Sequence, residues 1–248
     1  MSRISPAPRL DLSAFPDVWR VDDLARAPAT ISCGAPALDA VLPGGGWPTG
    51  AMVEVLQRTP ACHVWQLVLP ALSRTLQDKA GPIVLVAPPF HPFAPSLAAQ
   101  GLRPERLLCI HADRRASRLW ATEQSLRCEQ VAAVLAWLPE ARSEELRRLH
   151  LAAQQHDRLL FVFRGIVESR QASPAVLRLV VDGIDPIEIR IIKRKGPPVV
   201  QSLHLPATSR RLAALLQARR SLRSGDSQPL PAAGGERSHV LDRTAALP

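Results

Sequence analysis

Continuous apolar runs alternate with helix-forming segments along most of this chain of 248 residues. A strand with one solvent-exposed face alternates apolar and polar residues, and these runs do not. The runs therefore favour strands that are buried on both faces. Strands and helices in alternation predict an α/β protein with a mostly parallel sheet, right-handed crossovers and flanking helices. The strands are predicted at Met52–Leu56, Ile83–Ala87, Arg106–Ile110, Val131–Trp137 and Leu159–Phe163. The helices are predicted from about Ala61, and at Phe93–Gln100, Ser117–Leu126 and Ser143–His156.

The pattern changes near residue 177. Leu177–Val181, Ile187–Ile192 and Val199–Leu205 read as strands whose Gly- and Pro-containing connections are too short for helices. Such strands are expected to join the edge of the sheet in antiparallel pairing.

Four regions follow from composition. Prolines interrupt any long helix in residues 1–29, so this region is predicted to be an arm. Residues 30–206 are predicted to form the α/β core. Residues 207–223 are predicted as a basic helix, and the Gly, Pro and Ser content of 224–248 predicts a disordered tail.

The formal net charge of +9 has a definite location. Between Ile189 and Gly225 there are cations and no acids, so the remainder of the chain is balanced in charge. A segment of this kind favours an anionic partner such as DNA or an acidic protein, although solvated arginines on a terminal helix would give the same composition. The candidate partner-binding residues are Lys193, Arg194, Lys195, Arg210, Arg211, Arg219, Arg220 and Arg223.

Composition also argues against several classes of protein. The four cysteines have no close spacing, so reduced thiols are expected and a zinc site is not. No segment approaches the roughly 20 apolar residues that span a bilayer. We therefore expect a cytoplasmic protein that binds no metal or cofactor and contacts no membrane.

The segment that follows the first strand sits where a phosphate-binding loop would stand. Such a loop would read G-x-x-x-x-G-K-[ST], with Lys on the phosphates and a hydroxyl on magnesium. The chain instead has Gln57 and Cys62 in place of glycines, His63 in place of Lys and Val64 in place of Ser or Thr. These residues predict a degenerate phosphate loop and no catalytic activity.

The block "GAPALDAVLPGGGWPTGAMVEV" resembles the entry to the core of RecA-type recombinases. Together with "LVLPAL" and "IKRKGPP", it is similar to the ImuA family of translesion-synthesis-associated proteins, also called SulA-like. The resemblance implies a RecA-like fold. The RecA pattern would place a catalytic Glu near Ala87-Pro88-Pro89 and a Walker-B-like Asp near Ala136-Trp137, and this chain has neither.

The same resemblance implies a non-catalytic accessory role in damage-inducible (SOS) translesion DNA synthesis, near the nucleoid. The implied partners are RecA, an ImuB-type Y-family-like protein and an error-prone replicative-type DNA polymerase, with DNA itself as a further candidate. Two alternatives are an ATP-dependent recombinase-like protein and a SulA-like cell-division inhibitor.

Lys193-Arg194-Lys195 stands where RecA has a Lys-x-Lys that reaches across a subunit interface. The cluster could contact a protein or DNA phosphate, or it could protect an edge strand from aggregation. The sequence leaves both interpretations open.

Overall fold

A computed structural model describes residues 29–59, 64–183 and 185–207, together with 213, 214, 217 and 218. Nearly all of the predicted arm (1–29), the whole of the predicted tail (224–248) and most of the predicted basic helix (207–223) lie outside these residues. The chain divides into two compact units, Met1–Ser209 and Arg210–Pro248. In the second unit only Ala213, Ala214, Gln217 and Ala218 are described, and they are helical.

Two antiparallel strands precede the main sheet: β1 (Thr30–Ile31) and β2 (Trp47–Pro48). The main sheet has eight strands: β3 (Ala51–Gln57), β4 (Ile83–Val86), β5 (Leu107–Ile110), β6 (Ala133–Trp137), β7 (Leu159–Gly165), β8 (Leu177–Gly183), β9 (Ile187–Lys193) and β10 (Leu203–Leu205). The α-helices are α1 (Pro36–Asp39), α2 (Val64–Asp78), α3 (Ala94–Ala99), α4 (Arg115–Arg127) and α5 (Ser143–Gln155). Three short 3₁₀ turns lie at Pro43–Gly45, Pro104–Arg106 and Ile166–Arg170.

The strand order is β10-β9-β8-β3-β7-β6-β4-β5, and all pairs from β8 to β5 are parallel. The predicted α/β class with a mostly parallel sheet flanked by helices is confirmed. The predicted antiparallel edge is confirmed for β9 and β10. It is wrong for β8, which runs parallel to β3 because the segment after β7 returns to the amino edge of the sheet before β8 begins.

Helices cover both faces of the sheet. On one face Val53 and Val55 of β3 pack in a core with the apolar side of α2, where Val68 and Leu72 are fully buried. On the other face Met52 belongs to a second core, which α4 and α5 cover with residues such as Leu149. Strands covered on both sides must be apolar throughout, which accounts for the continuous runs in the sequence.

None of the helices in the described ranges is both long enough and apolar enough to cross a membrane.

Candidate binding site at the carboxyl edge of the sheet

A cavity of about 260 Å³ opens where the parallel strands β3, β4, β5, β6 and β7 end. In open α/β sheets, ligands bind outside the carboxyl ends of the strands, so this is the place to look for function. The lining residues come from strand ends and the loops that follow them: Gln57, Ala87, Pro88, Pro89, His111, Ala112, Asp113, Arg118, Trp137, Pro139, Phe163, Arg164 and Gly165.

The cavity brings together parts of the sequence that were identified separately. Gln57 lines it, and so do Ala87-Pro88-Pro89 and Trp137. Gln57 is the last residue of β3 and is 3% exposed, so the prediction that it lies in a loop after the strand is wrong. The strand is longer than predicted because it pairs on both sides, with β7 and with β8, as far as Gln57. Cys62 and His63 lie outside the described residues, and Val64 begins α2.

Aromatic rings form one wall of the cavity. Trp137 and Phe163, on the neighbouring strands β6 and β7, stack with 4.7 Å between ring centroids and an interplanar angle of 23°. Trp137 is 7% exposed, and its buried Nε1–H has no hydrogen-bond partner among the described residues. A buried indole N–H usually finds an acceptor, so this donor points to an acceptor that the described part of the chain does not supply.

The loop after β4 forms another part of the lining. Ala87 has a φ of 49°, in the left-handed region, and its N–H donates to the carbonyl of Ile110 at 2.8 Å. For a residue with a Cβ this conformation costs roughly 1–2 kcal/mol, and such strain is concentrated at functional sites. The bend turns Pro88 and Pro89 into the cavity lining.

Polar groups reach the cavity from the region around α4. The Nε–H of Arg118 donates to the carbonyl of Ala112 at 2.8 Å, and His111 contacts the ring of His91 with centroids 5.0 Å apart. Asp113 supplies a carboxylate to the lining. The cavity lining therefore combines apolar side chains with a few polar groups, an arrangement common to ligand pockets.

A buried ion network lies behind the cavity and was not predicted from the sequence. Glu54 is fully buried on β3, and its two carboxylate oxygens accept from Arg164 Nη1 at 2.8 Å and from Arg178 Nε at 2.5 Å. Arg164 also pairs with Glu168 at 3.0 Å, and Arg178 donates to the carbonyls of Glu168 and Gln171. The network links β3, β7 and β8, and Arg164 belongs both to it and to the cavity lining.

The network did leave a signal in the sequence. One acid and two arginines interrupt apolar runs in "AMVEVLQ", "LLFVFRG" and "LRLVV". Charges of opposite sign inside buried strands are expected to pair, because unpaired buried charges are too costly.

The predicted basic cluster lies at the end of β9. Lys193 is exposed and donates to the carbonyl of Ser173 at 2.8 Å, and Lys195 is exposed as well. Arg194 is half-buried and donates to the carbonyls of Val41 and Pro197, so its guanidinium holds the local chain together. The remaining predicted cations, Arg210, Arg211, Arg219, Arg220 and Arg223, lie outside the described residues.

Among the residues that the structure describes, no group of three or more His, Cys, Asp or Glu side chains could hold a metal ion.

The fold and the cavity define an α/β protein with a mixed eight-stranded sheet and a candidate binding site at its carboxyl edge. No protein-family profile matches the chain. Two proteins named "Protein ImuA", both from Caulobacter vibrioides (strains NA1000 / CB15N and ATCC 19089 / CIP 103742 / CB 15), are 36% identical to it over 137 residues. The match covers 50% of this chain and 53% of each relative, so the chain spans about half the length of the curated relatives it matches. The chain is related to the ImuA family, as its sequence motifs predict.

Proposed function

We propose that this protein is a non-catalytic, RecA-like accessory factor of DNA-damage-inducible translesion synthesis. It works by binding other proteins of that process: RecA, an ImuB-type Y-family-like protein and an error-prone replicative-type polymerase. The relationship to ImuA supports the process, and the residues around the carboxyl-edge cavity support the absence of catalysis.

The single observation that carries the non-catalytic assignment is the nature of the cavity walls. A phosphoryl-transfer site needs backbone donors and a Lys on the phosphates, a metal-binding oxygen and a residue that orients the attacking water. Where the RecA pattern requires its catalytic Glu and Asp, the strand ends have a strained alanine with two prolines and a stacked Trp137–Phe163 pair. The polar groups of the lining come from other positions: Gln57, His111, Asp113, Arg118 and Arg164. Proline has no N–H to donate, and an indole ring neither holds magnesium nor activates water.

Partner binding is assigned to the exposed lysines at the end of β9. Lys193 and Lys195 are both exposed, and the Lys193 ammonium has one donor directed to the carbonyl of Ser173. The Arg194 guanidinium is instead occupied by the carbonyls of Val41 and Pro197. Exposed charges raise association rates with an oppositely charged partner and give binding that weakens with salt.

The test is binding of purified full-length protein to RecA and to an ImuB-type protein from the same organism, without nucleotide. We expect both or one of them to bind, and we expect the double variant Lys193→Glu and Lys195→Glu to weaken binding about tenfold, mostly through the association rate. The matched control, Arg103→Glu with Arg147→Glu, makes the same change of charge at two exposed arginines elsewhere. If the protein binds neither RecA nor the ImuB-type protein, the proposal is overturned.

Nucleotide provides the complementary measurement. A ligand that binds only the folded state raises the unfolding temperature by mass action. We expect millimolar Mg-ATP to leave the unfolding temperature unchanged and to release no phosphate. Saturable binding with hydrolysis would instead favour the ATP-dependent recombinase-like alternative.

A further inference from the structure

One edge of the main sheet lacks the features that prevent pairing with another chain. β5 is the last strand in the sheet order, and among the described residues no strand pairs with its outer side. Its sequence, "LLCI", contains neither a charge nor a proline. The opposite edge strand, β10, has only three residues, exposes His204 and is followed by Pro206. Short strands, polar side chains and prolines protect sheet edges, so β5 is the less protected of the two edges.

The outer side of β5 offers unpaired backbone groups. The carbonyl of Ile110 accepts from the N–H of Ala87 at 2.8 Å, so the backbone groups of Ile110 face β4. Successive residues of a strand direct their N–H and C=O groups to opposite sides, so those of Cys109 face away from the sheet. No turn, loop or side chain in the described part of the chain bonds to either backbone group of Cys109.

A shallow groove lies directly beside this edge. Its volume is about 400 Å³, and its apolar lining includes Ile110 of β5 with Ala116, Trp120 and Ala121 of α4. Trp120 is 65% exposed, and Leu108, on the same face of β5 as Ile110, is 49% exposed. We call this feature the edge groove. Exposed apolar side chains gathered in one place mark an interaction surface, whereas single ones scattered over a protein do not.

The edge and the edge groove together fit an extended peptide. Such a peptide adds a strand to an open sheet edge, with main-chain hydrogen bonds for affinity and pockets for alternate side chains for specificity. Here Cys109 supplies the main-chain donor and acceptor, and the edge groove receives the side chains that face α4. A partner helix would fill the groove without pairing with β5, because its backbone groups bond internally.

The edge groove selects uncharged side chains. Its polar lining comes from His111 and Ser117, and it includes no Asp, Glu, Lys or Arg. A nucleic acid would therefore find no cation for its phosphates in the groove, and contacts with phosphates dominate the affinity of nucleic-acid binding. The part of the partner that lies in the groove is apolar.

The turn before β5 carries an excess of positive charge. Arg103 and Glu105 are exposed there, and Arg106 follows them. Arg106 donates to the carbonyl of Lys79, whose own charge is offset in the sequence by Asp78. Cations thus outnumber acids at this end of the strand, which complements an acidic residue beside the apolar part of the partner.

The other end of β5 is balanced in charge. Arg115 pairs with Glu145 at 3.6 Å, and Arg118 shares a small pocket with Glu140. Asp113 is followed directly by Arg114, and both are exposed. This end therefore imposes no sign of charge on the partner.

We propose that β5 and the edge groove dock an extended apolar segment of a partner protein, which pairs with β5 as an additional strand. Alternate side chains of the segment lie in the edge groove, and an acidic residue of it meets Arg103. In the strand order β5 is remote from β9, which ends at Lys193. The site is thus a second contact surface that does not depend on the proposed function.

Amide exchange in the free full-length protein, followed by NMR at low protein concentration, tests whether the edge is open. The N–H of Ile110 faces β4 and should be protected, whereas that of Cys109 should exchange about tenfold faster or more. Slow exchange at both positions would show that β5 is already paired, by this chain or by a second copy, and would overturn the proposal.

A labelled synthetic peptide tests the occupant. In this probe valine or leucine alternates with threonine, and glutamates at both ends allow either strand direction. We expect saturable binding that slows exchange at Cys109. Two further peptides carry N-methyl groups on the apolar residues or on the threonines. Only one of these sets faces β5, so one methylated peptide should bind about tenfold more weakly and the other like the parent. Equal binding of both, or no binding of the parent, would overturn the proposal.

Variants of the protein test the edge groove. Leu108→Ser with Trp120→Ser should weaken binding of the parent peptide about tenfold. Val167→Ser with Val200→Ser, at side chains that are 75% and 94% exposed elsewhere, should leave it unchanged. Equal affinities of the two double variants would contradict the role of the groove. Displacement of the peptide by a poly(dT) oligonucleotide would assign the surface to nucleic acid and would also overturn the proposal.

Discussion

Glu54 and Arg178 face each other in register on the parallel strands β3 and β8, and the arginine Nε lies 2.5 Å from the carboxylate Oε2. Glu54 is fully buried and the Arg178 side chain is 7% exposed, so water screens the pair very little. Arg164 occupies the other carboxylate oxygen. One carboxylate thus binds two guanidinium groups, and Glu168 supplies the second negative charge through Arg164.

Removing that carboxylate should therefore be severe. We expect Glu54→Gln to lower the free energy of unfolding by about 3–5 kcal/mol, because it leaves the buried Arg178 without its charge partner and leaves Arg164 with Glu168 alone. Urea denaturation measures the loss. Glu168→Gln, at a side chain that is 15% exposed and pairs only with Arg164, is the matched control and should cost clearly less. Equal losses in the two variants would contradict a larger contribution from the fully buried carboxylate of Glu54.

The left-handed conformation of Ala87 predicts an unusual response to glycine. Ala→Gly in a regular helix costs about 0.5–1 kcal/mol, because glycine loses more backbone freedom on folding. At Ala87, with φ of 49°, glycine relieves strain of similar or greater size, so the free energy of unfolding should stay level or rise by up to about 1 kcal/mol. The control is Ala98→Gly in α3, which is exposed and should destabilise. A comparable loss at both positions would argue against strain at Ala87.

His150 should make the protein sensitive to mild acid. Burial lowers the pKa of His150 below 6.5, the nearby charge of Lys193 lowers it further, and Nδ1 accepts from the N–H of Met52 at 3.2 Å. A lowered pKa in the folded state means that the unfolded chain takes up the proton first. The stability that neutral His150 contributes is therefore present above pH 6.5 and is lost as the pH falls below it.

The measurement is the free energy of unfolding between pH 7.5 and pH 5. His150→Gln keeps a hydrogen-bond acceptor but does not titrate, so its curve should be flatter than that of the wild type. Lys193→Gln should flatten the curve partially, since it removes the secondary cause of the shift. Parallel curves for all three proteins would refute the assignment.

Two thiols should differ sharply in reactivity. Burial, reinforced by a hydrogen bond with Asp39, raises the pKa of Cys33 to about 12, and Cys33 is 2% exposed. The thiolate is the nucleophile, so Cys33 should resist iodoacetamide at pH 8 in the native protein, whereas the exposed Cys128 should be alkylated within minutes. Mass mapping of peptides distinguishes the two. Urea should make Cys33 as reactive as Cys128, and early labelling of native Cys33 would contradict its burial.

Much of the fold could be predicted because strands that are buried on both faces appear in the sequence as continuous apolar runs. Ile83–Val86 and Ala133–Trp137 lie inside the runs that predicted them, and Ser143–Gln155 matches a helix pattern with acids at its start. The direction of β8 could not be predicted in the same way. Its apolar pattern is the same in either direction, and only the path of the segment after β7 decides between them.

The site was harder to predict than the fold. The sequence shows three departures from the RecA pattern, at Gln57, Ala87 and Trp137. Nothing local in the sequence shows that these residues share one cavity. The convergence arises from strand order, since β3 and β4 are separated in the sheet by β7 and β6. The charges of Glu54, Arg164 and Arg178 were visible in the sequence, but their mutual pairing depends on that same order.

The position of β3 has a consequence for how the chain folds as it is synthesised. β3 is the first strand of the main sheet to be made, but its neighbours β7 and β8 are the fifth and sixth. Arg164 and Arg178 follow Glu54 by 110 and 124 residues. Until Arg164 has left the ribosome, the carboxylate of Glu54 has no native partner, and the network stays incomplete until Arg178 follows. Non-local closure of this kind is slow. The nascent chain therefore cannot complete its central strand before three-quarters of the polypeptide exists, which makes the early chain a natural client for chaperones.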